Sequence, residues 1–355
     1  MARLPGTGLV TRHALARLSH AVGVLPAAQR VRAAWLRDVR IFAYHRVLDI
    51  PDDDAFMFDL ALVSASVRQF REQMLLLRRK FQPVRFQDLI AALQGGPALP
   101  RHAVIVSFDD GYDDNYRLAF PVLRELGVPA MFFVATGHID SGAPYAYDWL
   151  VHMVCVTAAD RLVIAQLGIN WALPAGIETR RVLAAALLDR IKRCDDALQS
   201  AVISQLQLEW DMPRTPHPDC RPMSWEQLRE MEADGMEIGS HGVNHRMLAK
   251  LLPGAMENEV ACSKAALDSN LDIPVSVLAY PVGGSDAYDQ LTIDAAKRAG
   301  YSAACSYIPG TNALVRIAPY MLRRLAVERE MDIAWFDAMA TLPELFAYPA
   351  RKHAD

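Results

Sequence analysis

Val104-Ile105-Val106-Ser107-Phe108-Asp109-Asp110-Gly111 passes from an unbroken apolar run into two adjacent carboxylates and a glycine. An apolar run without polar alternation is the pattern of a strand covered on both faces, as in a parallel sheet flanked by helices. Two carboxylates at the end of such a strand are costly to bury unless they bind something or act. Asp-Asp-Gly alone also makes ordinary turns. In α/β barrels, however, the C-terminal strand ends form the face where active sites collect.

Outward from this stretch the chain alternates short β-type runs with helical patterns, which predicts a parallel α/β sheet or barrel. The expected strands are Ile41–Val47, Val104–Phe108, Ala130–Ala135, Met236–Ser240, Val275–Tyr280, Ala303–Tyr307 and Arg324–Val327. Helices are expected over Ser66–Lys80, Phe86–Leu93, Tyr116–Leu126, Trp225–Ala233, Met256–Ser269, Leu291–Ala299 and Ile333–Ala340. Leu150–Asp211 breaks the alternation with helical patterns and no confident strand, and Met212–Met223, with four prolines, leads back. The expected organisation is a basic N-terminal extension (1–40), a barrel (41–345) with a helical insertion (150–223), and a tail (346–355).

The chain has 355 residues, 52% hydrophobic and 22% charged, with a formal net charge of -4. That balance suits a globular fold and leaves no electrostatic footprint for nucleic acid. Cys155, Cys194, Cys220, Cys262 and Cys305 are scattered and form no CxxC pair, which argues against a disulfide framework or a thiolate metal site. The expectation is a cytoplasmic or membrane-peripheral protein without a signal peptide or transmembrane helix. Residues 1–40 carry Arg3, Arg12, Arg17, Arg30, Arg32, Arg37 and Arg40 against the single acid Asp38. Val10, Ala14, Leu15, Leu18 and Val22 recur at near-helical spacing there. A helix packed on the barrel or a frayed leader is one reading, and a basic amphipathic helix in weak contact with a membrane surface is the other.

A second motif, Ser240-His241-Gly242-Val243-Asn244-His245, follows another expected strand. Two histidines four residues apart can reach one metal ion. With an acidic pair on a neighbouring strand end they supply an N,N,O ligand set that suits zinc and leaves a position open for water.

Together these motifs resemble the polysaccharide deacetylase family (carbohydrate esterase family four, the NodB-homology domain) from about Ile41 to Val327, interrupted by the insertion. The resemblance implies a distorted (β/α)7 barrel, with Asp109 as general base and Asp110, His241 and His245 as ligands of a divalent metal, most simply Zn²⁺. Where the family carries an arginine two residues before a strand-end proline, this sequence has Leu278-Ala279-Tyr280-Pro281, so Arg323 or Arg324 is the expected substitute for orienting the base. Tyr280 and Pro281 would line the sugar site. The family's late general-acid histidine is also missing. Tyr44-His45 on the first strand instead resembles an exopolysaccharide deacetylase subgroup with permuted motif order, which implies His45 as general acid.

The expected chemistry is removal of N-acetyl groups from an acetylated glycan. Asp148 and Trp149 are candidates for holding the sugar, and a backbone N–H near Tyr112 for stabilising the oxyanion. His102, His138, His152 and His217 read as structural or surface residues. The competing expectations are an O-acetyl esterase or small amide or imide hydrolase on the same barrel, and a glycan-binding protein without catalysis.

Overall fold

The computed structural model describes residues 7–348. Seven parallel strands form a closed barrel: β1 (Asp38–Tyr44), β2 (Ala103–Phe108), β3 (Ala130–Val134), β4 (Glu237–Ser240), β5 (Val277–Ala279), β6 (Ala303–Pro309) and β7 (Leu322–Ala326). The ring shuts through β1, which pairs with β2 at Ile41↔Ile105 and with β7 at Phe42↔Leu325. Gln82–Pro83 adds a short parallel pairing beside β2, and Asn312–Ala313 an antiparallel one beside β1.

Strand side chains alternate between two packed layers, as the pleat requires. Ile41, Ile105, Met131, Phe133, Val277 and Cys305 pack together in the barrel interior. Phe42, Val106, Phe132, Leu278 and Leu325 pack instead with the surrounding helices. Interior space is tight: a Cβ on Gly239 of β4 would lie 2.4 Å from the Phe133 ring. Continued to the strand ends, the inward register carries Asp109, His241 and Arg324.

The first strand is shorter than expected at its C-terminal end. At residue 45 side chains take over from the ladder: the His45 N–H donates to Ser64 Oγ at 3.0 Å, and its carbonyl accepts from Asn115 Nδ2 at 2.8 Å. Arg46–Val47 then pairs with Val63–Ala65 outside the barrel. The helix expected over Tyr116–Leu126 begins as a π-turn at Asn115–Ala119 before the α-helix Phe120–Leu126. It stops at left-handed Gly127, the usual means of ending a helix.

The stretch after β3 corrects the expectation of a segment without strands. Helices Ala146–Val156, Ile177–Lys192 and Asp196–Glu209 share it with a hairpin, Arg161–Ile164 against Ile169–Ala172. Each hairpin strand has only four residues, too few for a period to stand out, and the turn is set by Gly168 at φ +60°. Leu150, Met153, Leu162, Ile164, Leu187 and Leu206 form a second hydrophobic core here.

Helices Thr7–Ala21 and Leu25–Trp35 pack near helix Ile333–Thr341. Arg17 Nε donates to Asp332 at 2.6 Å, His20 Nδ1 lies 2.8 Å from Asp337, and Arg32 makes a bidentate pair with Asp38 at 2.7 Å. Among the described residues no helix is long and apolar enough to cross a membrane. From residue 349 the expected tail lies outside the described residues.

Candidate active site

The strand ends open into a cavity of about 200 Å³ whose wall includes His45, Asp109, Asp110, His241, His245 and Tyr307. Asp109 extends β2, its N–H donating to the Tyr44 carbonyl at 2.8 Å. Its carboxylate accepts both terminal nitrogens of Arg324, at 2.6 and 2.7 Å, while Arg324 Nε donates to the Ser306 carbonyl at 2.8 Å. Burial pushes the Asp109 carboxyl up, but the paired Arg324 guanidinium outweighs it, so the group stays below the ordinary carboxylate range.

The next residue turns away from the strand. Asp110 takes φ 72°, which swings its carboxylate toward the loop after β4. There His241 Nε2 lies 3.4 Å and His245 Nε2 3.2 Å from Asp110 Oδ1, and one ligand atom from each of the three residues falls within 4.8 Å of the others. His245 at φ 55° and Val282 at φ 63° share the left-handed backbone conformation. These strained non-glycine residues gather around one cavity, where strain is held by surrounding structure and is commonly tied to function.

The hydrogen bonding at the trio suits a cation. His241 Nδ1 lies 2.8 Å from the Ala279 carbonyl, so it carries the proton and leaves Nε2 as a lone pair facing Asp110. Two ring nitrogens thus face one carboxylate oxygen. Asp110 Oδ1 is buried without a hydrogen-bond donor, alone in this among carboxylate oxygens of the described residues. A divalent ion shared by the three groups satisfies them, and Asp-His-His with open positions is a zinc-type donor set.

The supporting shell escaped the sequence reading. Glu259 Oε2 accepts from the Val243 and Asn244 N–H groups, both at 2.8 Å, and Oε1 from Asn244 Nδ2 at 2.8 Å, fixing the loop between the histidines. The Tyr145 hydroxyl donates to the Asp110 carbonyl and its ring lies 4.7 Å from that of His245. His45 Nδ1 sits 3.5 Å from the Tyr307 hydroxyl, and burial lowers the imidazole pKa despite the opposing Asp110 and Asp109 carboxylates.

Several expected site residues face elsewhere. Arg323 has the outward register of β7 and reaches only the Pro309 carbonyl, so Arg324 is the arginine on Asp109. Tyr280 has the outward register after β5: it is buried, stacks on Tyr288 at 4.3 Å and donates to the Tyr320 carbonyl. Pro281 is buried as well, and the following Val282 and Gly284 reach the cavity wall in its place. Trp149 is turned into the second core, where Nε1 donates to the Met212 carbonyl and the ring stacks on His152 at 4.7 Å. Tyr112 holds Asp148 through its fully buried side chain, the hydroxyl donating to Oδ2 at 2.7 Å; the oxyanion donor expected near it is a backbone N–H, not this side chain. Asp148 does reach the cavity wall, its pKa raised to about 7 by burial and by the nearby Asp110. His138, read as structural, is buried close by, its ring centroid 4.0 Å from that of Tyr145.

The family model for polysaccharide deacetylase matches residues 96–304, a span that includes Asp109, Asp110, His241 and His245. The chain belongs to the polysaccharide deacetylase family. This deacetylase-family chain is 34% identical over 102 residues to the poly-beta-1,6-N-acetyl-D-glucosamine N-deacetylase of Escherichia coli (strain K12), covering 28% of the chain and 14% of that protein. It is 32% identical over 235 residues to YxkH of Bacillus subtilis (strain 168), named as a polysaccharide deacetylase, covering 66% and 55%. The chain therefore spans less than two thirds of either relative. Among solved structures, the Streptococcus pyogenes deacetylase PplD, in complex with acetate, superposes with a TM-score of 0.58 at 17% identity, covering 87% of this chain and 100% of that one. A de-N-acetylase from Aggregatibacter actinomycetemcomitans gives 0.55 at 18%, covering 86% and 99%. At these identities the likeness is one of fold.

Proposed function

We propose that this protein hydrolyses N-acetyl groups on an amino-sugar polysaccharide or its precursor, using a divalent metal, zinc by its donor set, held by Asp110, His241 and His245. The observation that carries the reading is the buried, donorless Asp110 Oδ1 faced by two imidazole nitrogens, 3.4 and 3.2 Å away. Family membership and the named substrate of the Escherichia coli relative support the choice of an acetylated glycan.

When bound, such a metal supplies a Lewis acid and lowers the pKa of water toward about 7. Asp109, kept ionised and oriented by the two-pronged Arg324, takes the proton of the attacking water. His45, on the same cavity wall, delivers a proton to the leaving amine, which an amide needs because an amide anion leaves poorly. Burial disfavours the charged His45 imidazole while the Asp110 and Asp109 carboxylates favour it, and the proton Asp109 takes from water replaces the one His45 gives to the amine, so the cycle balances. Tyr307, beside it, limits how the ring can turn.

The cavity adjoins a larger groove of about 840 Å³, with Tyr147 and His245 on both walls. Gln199, Ser200, Ser204 and Gln207 of helix Asp196–Glu209 line that groove with amides and hydroxyls, a surface suited to the hydroxyls of a long glycan. The test is acetate release from acetylated glucosamine oligomers, with and without chelator. We expect chelator-sensitive release that Asp109→Asn lowers by about 10²–10⁴-fold, the usual weight of a general base. Full activity in Asp109→Asn, or binding without release at any metal loading, defeats the assignment. Release from O-acetyl esters alone, unaffected by His45→Ala, turns the reading to an esterase.

A further inference from the structure

The two N-terminal helices invert the pattern of an ordinary surface helix, whose outer face is polar. Leu15 and Leu18 of Thr7–Ala21, and Val22 just past it, follow one another at intervals of three and four and are all exposed, Val22 by 65%. On Leu25–Trp35 the outward positions include Val31, 62% exposed, and Trp35, 85% exposed, with exposed Val24 and Leu36 at the two ends. The inner faces are already committed. Ala16, Leu25 and Arg32 are buried, and Arg17 and His13 engage Asp332 while His20 engages Asp337. The exposed apolar side chains are therefore carried by helices that are docked on the barrel rather than left on a loose end.

Charge selects the occupant. From Thr11 to Arg37 there is no Asp or Glu, and Arg30 and Arg37 are exposed beside the apolar side chains, in a chain whose formal net charge is -4. A second copy meeting this face across a two-fold axis would set arginines against arginines with no acid in the segment to answer them. An anionic lipid surface answers both features: aliphatic side chains enter the acyl boundary, an indole sits at headgroup level, and arginines pair with phosphates. Trp35-Leu36-Arg37 leads directly into the N-terminal end of β1, the end opposite the cavity, so contact here leaves the barrel mouth open.

We propose that the exposed face formed by Leu15, Leu18, Val22, Val31, Trp35, Arg30 and Arg37 seats the protein on an anionic membrane surface. This stands independently of the catalytic reading. The full chain, metal-loaded, should co-sediment with vesicles containing phosphatidylglycerol and much less with pure phosphatidylcholine vesicles. Arg30→Ala with Arg37→Ala should weaken binding roughly thirtyfold, each near-surface arginine contributing about a fivefold factor. Val31→Asp with Trp35→Asp should abolish sedimentation while leaving the melting temperature unchanged, since both side chains already face water. Absence of co-sedimentation with either vesicle overturns the proposal. So does a dimer on size-exclusion that the Asp variants dissolve, which would make this face an interface between copies.

Discussion

The mouth and the floor of the barrel both bury carboxylates, and they satisfy them differently. On the floor, Glu237 at the start of β4 accepts the first two N–H groups of helix Phe86–Leu93, Phe86 at 2.7 Å and Gln87 at 2.9 Å. Asp38 at the start of β1 accepts both terminal nitrogens of Arg32 at 2.7 Å. At the mouth, Asp109 is matched in the same way by Arg324, but Asp110 is left with a buried oxygen lacking any donor and a left-handed backbone. Buried charge is common to both ends. Among the described residues, a buried carboxylate oxygen without a donor on left-handed backbone occurs at the mouth, and that marks a place prepared for something the chain itself does not supply.

The largest effect is expected where this difference is greatest. Asp110→Asn should cut acetate release by more than about a hundredfold, beyond the loss that outer-shell substitutions at metal sites give. In the metal-free protein, burial pushes the Asp110 carboxyl up but the facing His245 and His241 hold it below its ordinary range, so loss of the charge should lower the melting temperature only modestly. A large drop in the metal-free melting temperature would place Asp110 among the structural carboxylates. Arg324→Met tests the matched pair at the same mouth. It strands Asp109 as an unpaired buried charge and should cost about 3–5 kcal/mol in unfolding free energy, along with activity. Arg324→Lys keeps the charge without the planar fork and should recover part of the stability but little of the rate. At the floor, Glu237→Ala should cost about 1–3 kcal/mol by orphaning two helix N–H groups, with kcat/KM unchanged.

Much of the mouth was legible in sequence because it lies on strand ends. A buried apolar run ending in Asp109-Asp110 and another ending at His241 announce themselves by composition, and a parallel barrel brings such ends to one face. Strand parity carried more information than motif position did. With Leu322 inward, Arg324 shares its face and Arg323 does not; with Val277 and Ala279 inward, Tyr280 points out to the helices. Glu259 left no such trace. It lies on a different element from the loop it holds, 14 residues beyond His245, and its only local signature is that of a polar residue on a helix. The short hairpin at Arg161–Ala172 was hidden for the opposite reason, having too few residues per strand to display a period.

The smallest expected effect concerns His138, which belongs to neither the matched nor the unmatched carboxylates but shares the mouth's low-dielectric setting. Its Nδ1 meets the Ala143 carbonyl, its Nε2 is buried without a partner, and burial lowers its pKa to about 4. A depressed imidazole favours the fold while neutral. The contribution is fully present above the unfolded value of about 6.5 and is lost as pH falls toward and through about 4. Between pH 7.5 and 5.5 the metal-free protein should therefore lose about 1.4 kcal/mol through this group, one pKa unit's worth. His138→Gln, which keeps a polar group of similar reach but cannot gain a proton, should flatten that part of the melting-temperature profile and leave the carboxylate-driven decline at lower pH in place. If the wild-type and variant profiles fall in parallel from pH 7.5 to 5.5, His138 is protonated in the folded protein, and the mouth is wetter than its packing implies.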